Sequence, residues 1–249
     1  MSSLNKDTPI LQVKNLHKWF GKVHALNDFT FDIYPGEAVS LVGDNGAGKS
    51  TFAKIISGVI TQTKGRIFWK GEELKNNSIE TARKVGIETV YQEQTLVPAL
   101  SVTKNIYLGR VLTKDRFLRV LDSKRMHDKS EEVLRALGLR VSAEQEVRFC
   151  SGGEMQGVAV ARAILFKAKL VILDEPTRAL SPSGVRKVME FIKGMKDEGI
   201  AVILISHVFS QVFEITDRFI VLSRGEKILE RKQGETSVDE LTDTLLNIR

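Results

Sequence analysis

A single cysteine, Cys150, in 249 residues leaves no partner for an internal disulfide and no thiolate cluster for a metal, so nothing requires an oxidising compartment. Long hydrophobic runs are missing too. Apolar runs such as 170–173 and 201–205 fall far short of the roughly 18 residues of a membrane-spanning helix. The opening MSSLNKDTPI lacks the apolar stretch of a secretory signal. Internal repeats, heptads, low-complexity linkers and a basic tail are absent as well. The expected compartment is therefore the cytosol. What is present, 42% apolar and 27% charged residues, is the balance of a folded globule. The formal charge of +6 suits anionic partners such as nucleotides, nucleic acid or an anionic membrane face, and equally a mildly basic protein with no such partner.

Short apolar, β-branched segments alternate with longer segments of helical period, which predicts βαβ units around a mainly parallel sheet. Segments 11–18, 29–33 and 65–69 read as strands close in sequence, so an antiparallel patch is expected beside the parallel core. Segment 38–42 reads as a buried strand entering a Gly-rich turn, with helix over 51–56. From 94 to 149 no buried strand is visible, and 123–139 carries Met126, Val133, Leu134 and Leu137 among charges, the pattern of an amphipathic helix. This region reads as a helical insertion. A helix starting at Ser151, apolar strands at 170–173 and 201–205, a crossover helix over 182–196 and a terminal helix over 237–247 complete the reading.

The turn after the first buried strand reads Gly43-Asp44-Asn45-Gly46-Ala47-Gly48-Lys49-Ser50-Thr51 and fits GxxxxGK[ST], between strand and helix as its chemistry requires. Glycines let successive N–H groups turn inward toward phosphate oxygens, and the helix N-terminus adds its positive end. Lys49 would reach the β and γ phosphates of ATP, and the Ser50 hydroxyl would ligate Mg²⁺. Strand 170–173 runs into Asp174-Glu175-Pro176, two carboxylates at a strand end, where open α/β sheets hold ligands. Asp174 would hold the metal and Glu175 would orient the attacking water. For an isolated Asp-Glu pair, helix capping would be the simpler reading.

With these marks in order, the chain resembles an ATP-binding cassette (ABC) ATPase, the nucleotide-driven subunit of a membrane transporter. Cys150-Ser151-Gly152-Gly153-Glu154 occupies the slot of that family's LSGGQ signature. The resemblance implies that Ser151, Gly152 and Gly153 close over ATP held by a second, identical cassette. It makes Gln92 a contact of Mg²⁺ and the lytic water, His207 a contact of the γ-phosphate, and Phe20 the aromatic on which adenine stacks, rather than a core aromatic on an edge strand. It implies a P-loop core over 1–92 and 157–249, with a helical subdomain over 93–156 carrying the signature loop. A permease would dock between Gln94 and Arg110 on the cytoplasmic face of the membrane, with a sugar-binding protein acting indirectly. Segments Val90-Tyr91-Gln92-Glu93 and Asn105-Ile106-Tyr107-Leu108-Gly109-Arg110, and Ser181 in place of the family's usual Asp, resemble the carbohydrate-import branch. Members of that branch often fuse two cassettes, whereas this chain holds one.

Two positions depart from the signature: Cys150 for Leu and Glu154 for Gln. A carboxylate beside bound nucleotide repels phosphate, so either Glu154 points away or the sandwich is weakened. Two rival readings follow. One is a soluble cassette ATPase acting on nucleic acid or ribosomes, disfavoured by the lack of a coiled coil, zinc cysteines or second cassette. The other is a weakly hydrolysing regulatory cassette in which ATP controls assembly alone.

Overall fold

The computed structural model describes residues 8–91, 96–114, 120–178 and 180–247. In chain order the elements are β1 (Leu11–Phe20), β2 (Val23–Ile33), β3 (Ala38–Val42), α1 (Lys49–Ile56), β4 (Lys64–Trp69), β5 (Glu72–Glu73), α2 (Ile79–Val85), β6 (Ile87–Val90), α3 (Val102–Ile106), α4 (Ser123–Ala136), α5 (Gly152–Leu165), β7 (Leu170–Asp174), α6 (Pro182–Asp197), β8 (Ala201–Ser206), α7 (Phe209–Val212), β9 (Arg218–Ser223), β10 (Glu226–Lys232) and α8 (Val238–Asn247). The chain divides into two compact units. The first comprises residues 1–91, 168–176 and 192–249, the second 92–167 and 177–191.

The first unit holds two sheets. One has six strands in the order β10-β9-β3-β8-β7-β6, parallel throughout except for the β10 edge. Every residue of β3, β7 and β8 is buried, as expected where a parallel sheet is covered on both faces; Ser40, Asp174 and Ser206 are the polar residues among them. The other sheet, β2-β1-β4-β5, is antiparallel. The alternation in β4, with Ile67 and Trp69 buried and Arg66 exposed, is that of a sheet wet on one face. Both sheets feed one core. Phe52 of α1 meets Phe29 and Phe31 of β2 edge-on, with ring centroids 5.1 and 5.3 Å apart, which fixes the helix carrying Lys49 against the antiparallel sheet.

Arg218 at the start of β9 joins elements far apart in sequence. Its Nε donates to Glu37 Oε1 at 2.8 Å, Nη1 donates to Asp32 Oδ1 at 3.0 Å and to Glu230, and Nη2 donates to the Asp32 carbonyl at 2.7 Å. Burial alone would lower the Arg218 pKa, but the Glu37 and Glu230 carboxylates outweigh it and the net shift is upward.

In the second unit α3, α4 and α5 pack on one another, and no strand longer than an isolated bridge occurs among its described residues. Buried Asn105 ties down the segment before α3. Its Oδ1 accepts from the Val97 amide at 2.6 Å, and its Nδ2 donates to the carbonyls of Val97, Leu100 and Ser101 at 3.0–3.1 Å. Gly157 lets α5 approach Leu139, since a Cβ there would lie 2.6 Å from Leu139 Cδ2.

Candidate functional site

The loop between β3 and α1 is shaped by its glycines. Gly48 has φ +107°, and a Cβ on it would lie 2.5 Å from the Ala25 carbonyl oxygen, so only glycine fits. Gly43 is held likewise by the Leu222 carbonyl, while Gly46 faces open space. The Gly225 amide donates to the Ala47 carbonyl at 3.0 Å, which ties the loop to the β9–β10 turn. Gly48 caps α1 with no side-chain hydrogen bond, and the helix has no acidic residue in its first turn. Its first N–H groups therefore keep their donors for an anion. Asn45 and Gly46 stand exposed at the loop tip, and Ala47, Gly48 and Lys49 are buried behind it.

Lys49 donates from Nζ to the carbonyls of Gly43 at 2.6 Å and Asp44 at 2.9 Å. Burial pulls its pKa below the ordinary lysine value, opposed by Glu175, Asp174 and Asp44. Asp174 ends β7 beside it. Burial raises the Asp174 pKa, opposed by a hydrogen bond from the Ser50 hydroxyl and by Lys49. Its Oδ1 is buried with no hydrogen-bond partner. A buried carboxylate oxygen without a donor, next to a serine hydroxyl, is the donor set of a hard divalent cation, so these residues fit Mg²⁺.

Glu175 follows β7 with φ +54°, its amide donating to the Ile205 carbonyl at 2.9 Å. That turn brings its carboxylate to 2.7 Å from Nδ1 of His207, the residue after β8, and the pairing of Asp174 with Ile205 sets the register. Val208 closes the turn by donating its amide to Ser206 Oγ at 3.1 Å. Glu175 is nearly enclosed and His207 is open to solvent. Phe20, at the end of β1, is 48% exposed, and the Lys18 ammonium lies over its ring at 5.0 Å from the centroid. The first unit thus gathers Lys49, Ser50, Asp174, Glu175 and His207 at the carboxyl ends of β3, β7 and β8. Gln92 lies outside the described residues.

In the second unit Ser151 caps α5. Glu154 neither points away nor approaches a ligand: it turns back on Ser151. Its Oε2 accepts from the Ser151 amide at 2.8 Å and from the Ser151 hydroxyl at 2.9 Å, while the Glu154 amide donates to Ser151 Oγ at 3.3 Å. The S-x-x-E spacing was the legible signal of this capping box, which the sequence reading did not use. Gly152 and Gly153 abut segment 177–191, where a Cβ on Gly152 would lie 2.9 Å from Leu180 Cδ2. Burial pushes the Cys150 thiol pKa up, and Glu154 adds to the rise.

The same unit carries a mainly apolar groove of about 670 Å³ lined by Leu100, Tyr107, Leu108, Val111, Leu121 and Met126, with Lys104, Lys124 and Glu144 at its rim. The Tyr107 hydroxyl is buried there without a hydrogen-bond partner.

A parallel sheet with a phosphate loop after β3 and carboxylates after β7 defines the class: a P-loop nucleotide-binding fold. Residues 26–178 match the ABC transporter family, and the chain belongs to it. It is 42% identical over 237 residues to the xylose/arabinose import ATP-binding protein XylG of Sulfolobus acidocaldarius, covering 95% of this chain and 93% of that one. It is 43% identical over 226 residues to the fructose import ATP-binding protein FrcA of Rhizobium meliloti, covering 88% and 87%. Against the ribose import ATP-binding protein RbsA of Caldanaerobacter subterraneus the identity is 38%, over 96% of this chain but 48% of that one. A nucleotide-free ATP-binding cassette from an ABC transporter superposes with TM-score 0.84 at 23% identity, covering 96% and 98% of the chains. A dimeric post-hydrolysis cassette bound to ADP and Pi gives 0.76 at 26% identity, covering 90% and 98%. No helix among the described residues is long and apolar enough to cross a membrane.

Proposed function

We propose that the chain is the ATP-hydrolysing subunit of an ABC importer for a sugar. The observation that carries this reading is the convergence of buried Lys49, the orphaned Asp174 oxygen and the Glu175–His207 pair beside the uncapped N-terminus of α1. The ATPase core is residues 1–92 and 157–249 and the helical subdomain residues 93–156, although 157–167 and 177–191 fall in the second compact unit. Phe20 stacks adenine, the Gly43 to Thr51 loop cradles the phosphates, and Lys49 exchanges its backbone carbonyls for phosphate oxygens. Ser50, Asp174 and Gln92 hold Mg²⁺, which supplies charge neutralisation on the phosphates when bound. Glu175 takes up the proton of the attacking water, and His207 contacts the γ-phosphate and steadies the Glu175 carboxylate.

Two copies pair head to tail, each offering Ser151 to Gly153 to the nucleotide of the other; the dimeric cassette structure among the structural relatives supports this arrangement. Permease subunits of the cytoplasmic membrane take the mainly apolar groove beside α3. A sugar-binding protein outside the cell acts through them. Nucleic acid is not a partner. The sugar-import names of the relatives at 38–43% identity support the substrate class.

The test is light scattering on the Glu175→Gln chain with and without Mg-ATP. Blocked hydrolysis traps a closed pair, so the mass doubles with nucleotide. A chain that neither binds nor hydrolyses ATP would sink the reading. For the membrane partner, charge reversal at Lys104 is expected to abolish binding to permease-containing membranes, and unchanged binding would remove the groove from the account.

A further inference from the structure

Each of the two hydrogen-bond donors on Ser151, its amide and its hydroxyl, is directed at one oxygen of Glu154, at 2.8 and 2.9 Å. A serine hydroxyl has one proton. While it is given to the Glu154 carboxylate it cannot be given to a phosphate, and an ionised acceptor holds it in a charge-assisted bond roughly twice as strong as a neutral one. The same Oε2 takes the amide donor as well, so both donors that Ser151 could offer an anion are already spent on a negative charge. Elsewhere the chain does the opposite: α1 begins at Gly48 with no side-chain cap at all. The two candidate anion sites are thus built differently, one open and one closed by its own side chain.

We infer that Glu154 is a latch on the signature loop. It is a positioning residue that holds Ser151 away from the partner's nucleotide, so that closure of the cassette pair must first displace the carboxylate from the Ser151 hydroxyl. This rests on the reading of the chain as a cassette whose signature loop acts across a dimer, and it makes closure of this chain demand more ATP than its phosphate loop alone would. Repulsion between Glu154 and the incoming γ-phosphate works in the same direction. The ligand concerned is the terminal phosphate of a nucleoside triphosphate, and the regulated step is dimer closure, with no covalent change in the latch.

Glu154→Gln isolates the charge. Glutamine keeps the side-chain acceptor that caps α5, so the helix survives, while the charge-assisted bond and the repulsion disappear. In full-length Glu175→Gln protein, the Mg-ATP concentration that half-closes the dimer is measured by light scattering with Glu154 and with Glu154→Gln, alongside ATP affinity for the monomer and thermal melting. The expected result is a midpoint lowered about tenfold by Glu154→Gln, at unchanged monomer affinity and melting temperature. Raising the salt from roughly 0.05 to 0.5 M is expected to narrow the gap, because screening weakens the repulsion. Equal midpoints, or a higher one for Glu154→Gln, overturn the latch. Ser151→Ala separates the latch from the reading beneath it: if Ser151→Ala closes as readily as its parent, the signature loop does not act on nucleotide and both fall. If Ser151→Ala blocks closure while Glu154→Gln changes nothing, only the latch falls.

Discussion

Glu175 and His207, 32 residues apart, meet at 2.7 Å because β7 and β8 are neighbours in register and each ends in a tight turn. The carboxylate is nearly enclosed and the imidazole is open, with side-chain exposures of 10% and 54%. That arrangement suits a base whose orientation is fixed from one side while substrate arrives from the other. Glu175→Gln is expected to lower kcat by about 10²- to 10⁴-fold, the range of a lost general base, with ATP binding retained. His207→Ala acts on the same carboxylate, so the double variant is expected to lose little beyond the worse single one. Phosphate release and a fluorescent-ATP titration check this. Multiplicative losses would mean that the two residues act independently.

Much of this geometry was legible in the sequence, and the reasons differ by segment. Segments 38–42 and 201–206 are apolar but for Ser40 and Ser206, and such segments mark strands buried on both faces. The phosphate loop was legible because its glycines are demanded by backbone approaches such as that of Gly48 to Ala25, so no other residue could stand there. Strand β9 was passed over although it pairs with β3, because Arg218 at its head and Arg224-Gly225 after it break the apolar signal. Helices α2 and α3 span seven and five residues, too short for a periodicity to declare itself. Asn105 reads as an ordinary polar residue, since the carbonyls it holds are assigned to it only by the folded backbone. In the site, motif order named Asp174 and Glu175. The spacing of Ser151 and Glu154 announces the capping box, but that Glu154 also takes the Ser151 hydroxyl proton is visible only in the folded side chains.

Asp174 carries a burial cost that Ser50 and Lys49 only partly offset. Its pKa is raised, chiefly by burial, so in the native state it holds its proton to higher pH than in the unfolded chain. The penalty is therefore present above the raised value and relieved as pH falls through it. Without divalent cation, Asp174→Asn is expected to stabilise the chain at neutral pH by on the order of 1–3 kcal/mol, and that gain is expected to shrink as the pH is lowered. The same shift makes divalent binding weaken on acidification earlier than an ordinary aspartate would, because the cation must displace the proton. Melting curves and Mn²⁺ titrations across pH check both. A destabilised Asp174→Asn in metal-free buffer would show that Ser50 and Lys49 outweigh the cost of burial.

Arg218 is the opposite case, a part-buried charge with three carboxylate partners. Asp32, Glu37 and Glu230 converge on one guanidinium, and removing it leaves three carboxylates facing one another. Arg218→Ala is expected to cost about 3–5 kcal/mol. The Glu230 pKa is depressed: burial pushes it up, but hydrogen bonds from Lys227 and Arg218 prevail. The stability that Glu230 contributes is thus complete above the ordinary carboxylate value and lost as pH falls through the depressed one. Urea unfolding of both proteins at neutral and acid pH tests this. A loss below about 1 kcal/mol at neutral pH would mean that solvent already screens the cluster.

Phe20 offers a ring for a base without reading its edge. Half exposed at the end of β1, it has the Lys18 ammonium over its ring and no core packing to lose, so truncating it removes a stacking surface and little else. Base–aromatic stacking contributes about 1–3 kcal/mol, which at its middle is more than tenfold in affinity. Phe20→Ala is therefore expected to raise KM for ATP about tenfold with kcat nearly unchanged, since stacking is equal in ground and transition states. Phe20→Tyr is expected to keep the wild-type KM. Because every base has a π-face, the loss should be the same for GTP as for ATP. A loss confined to ATP would assign Phe20 a part in recognising adenine itself, and an unchanged KM would mean that the base lies elsewhere.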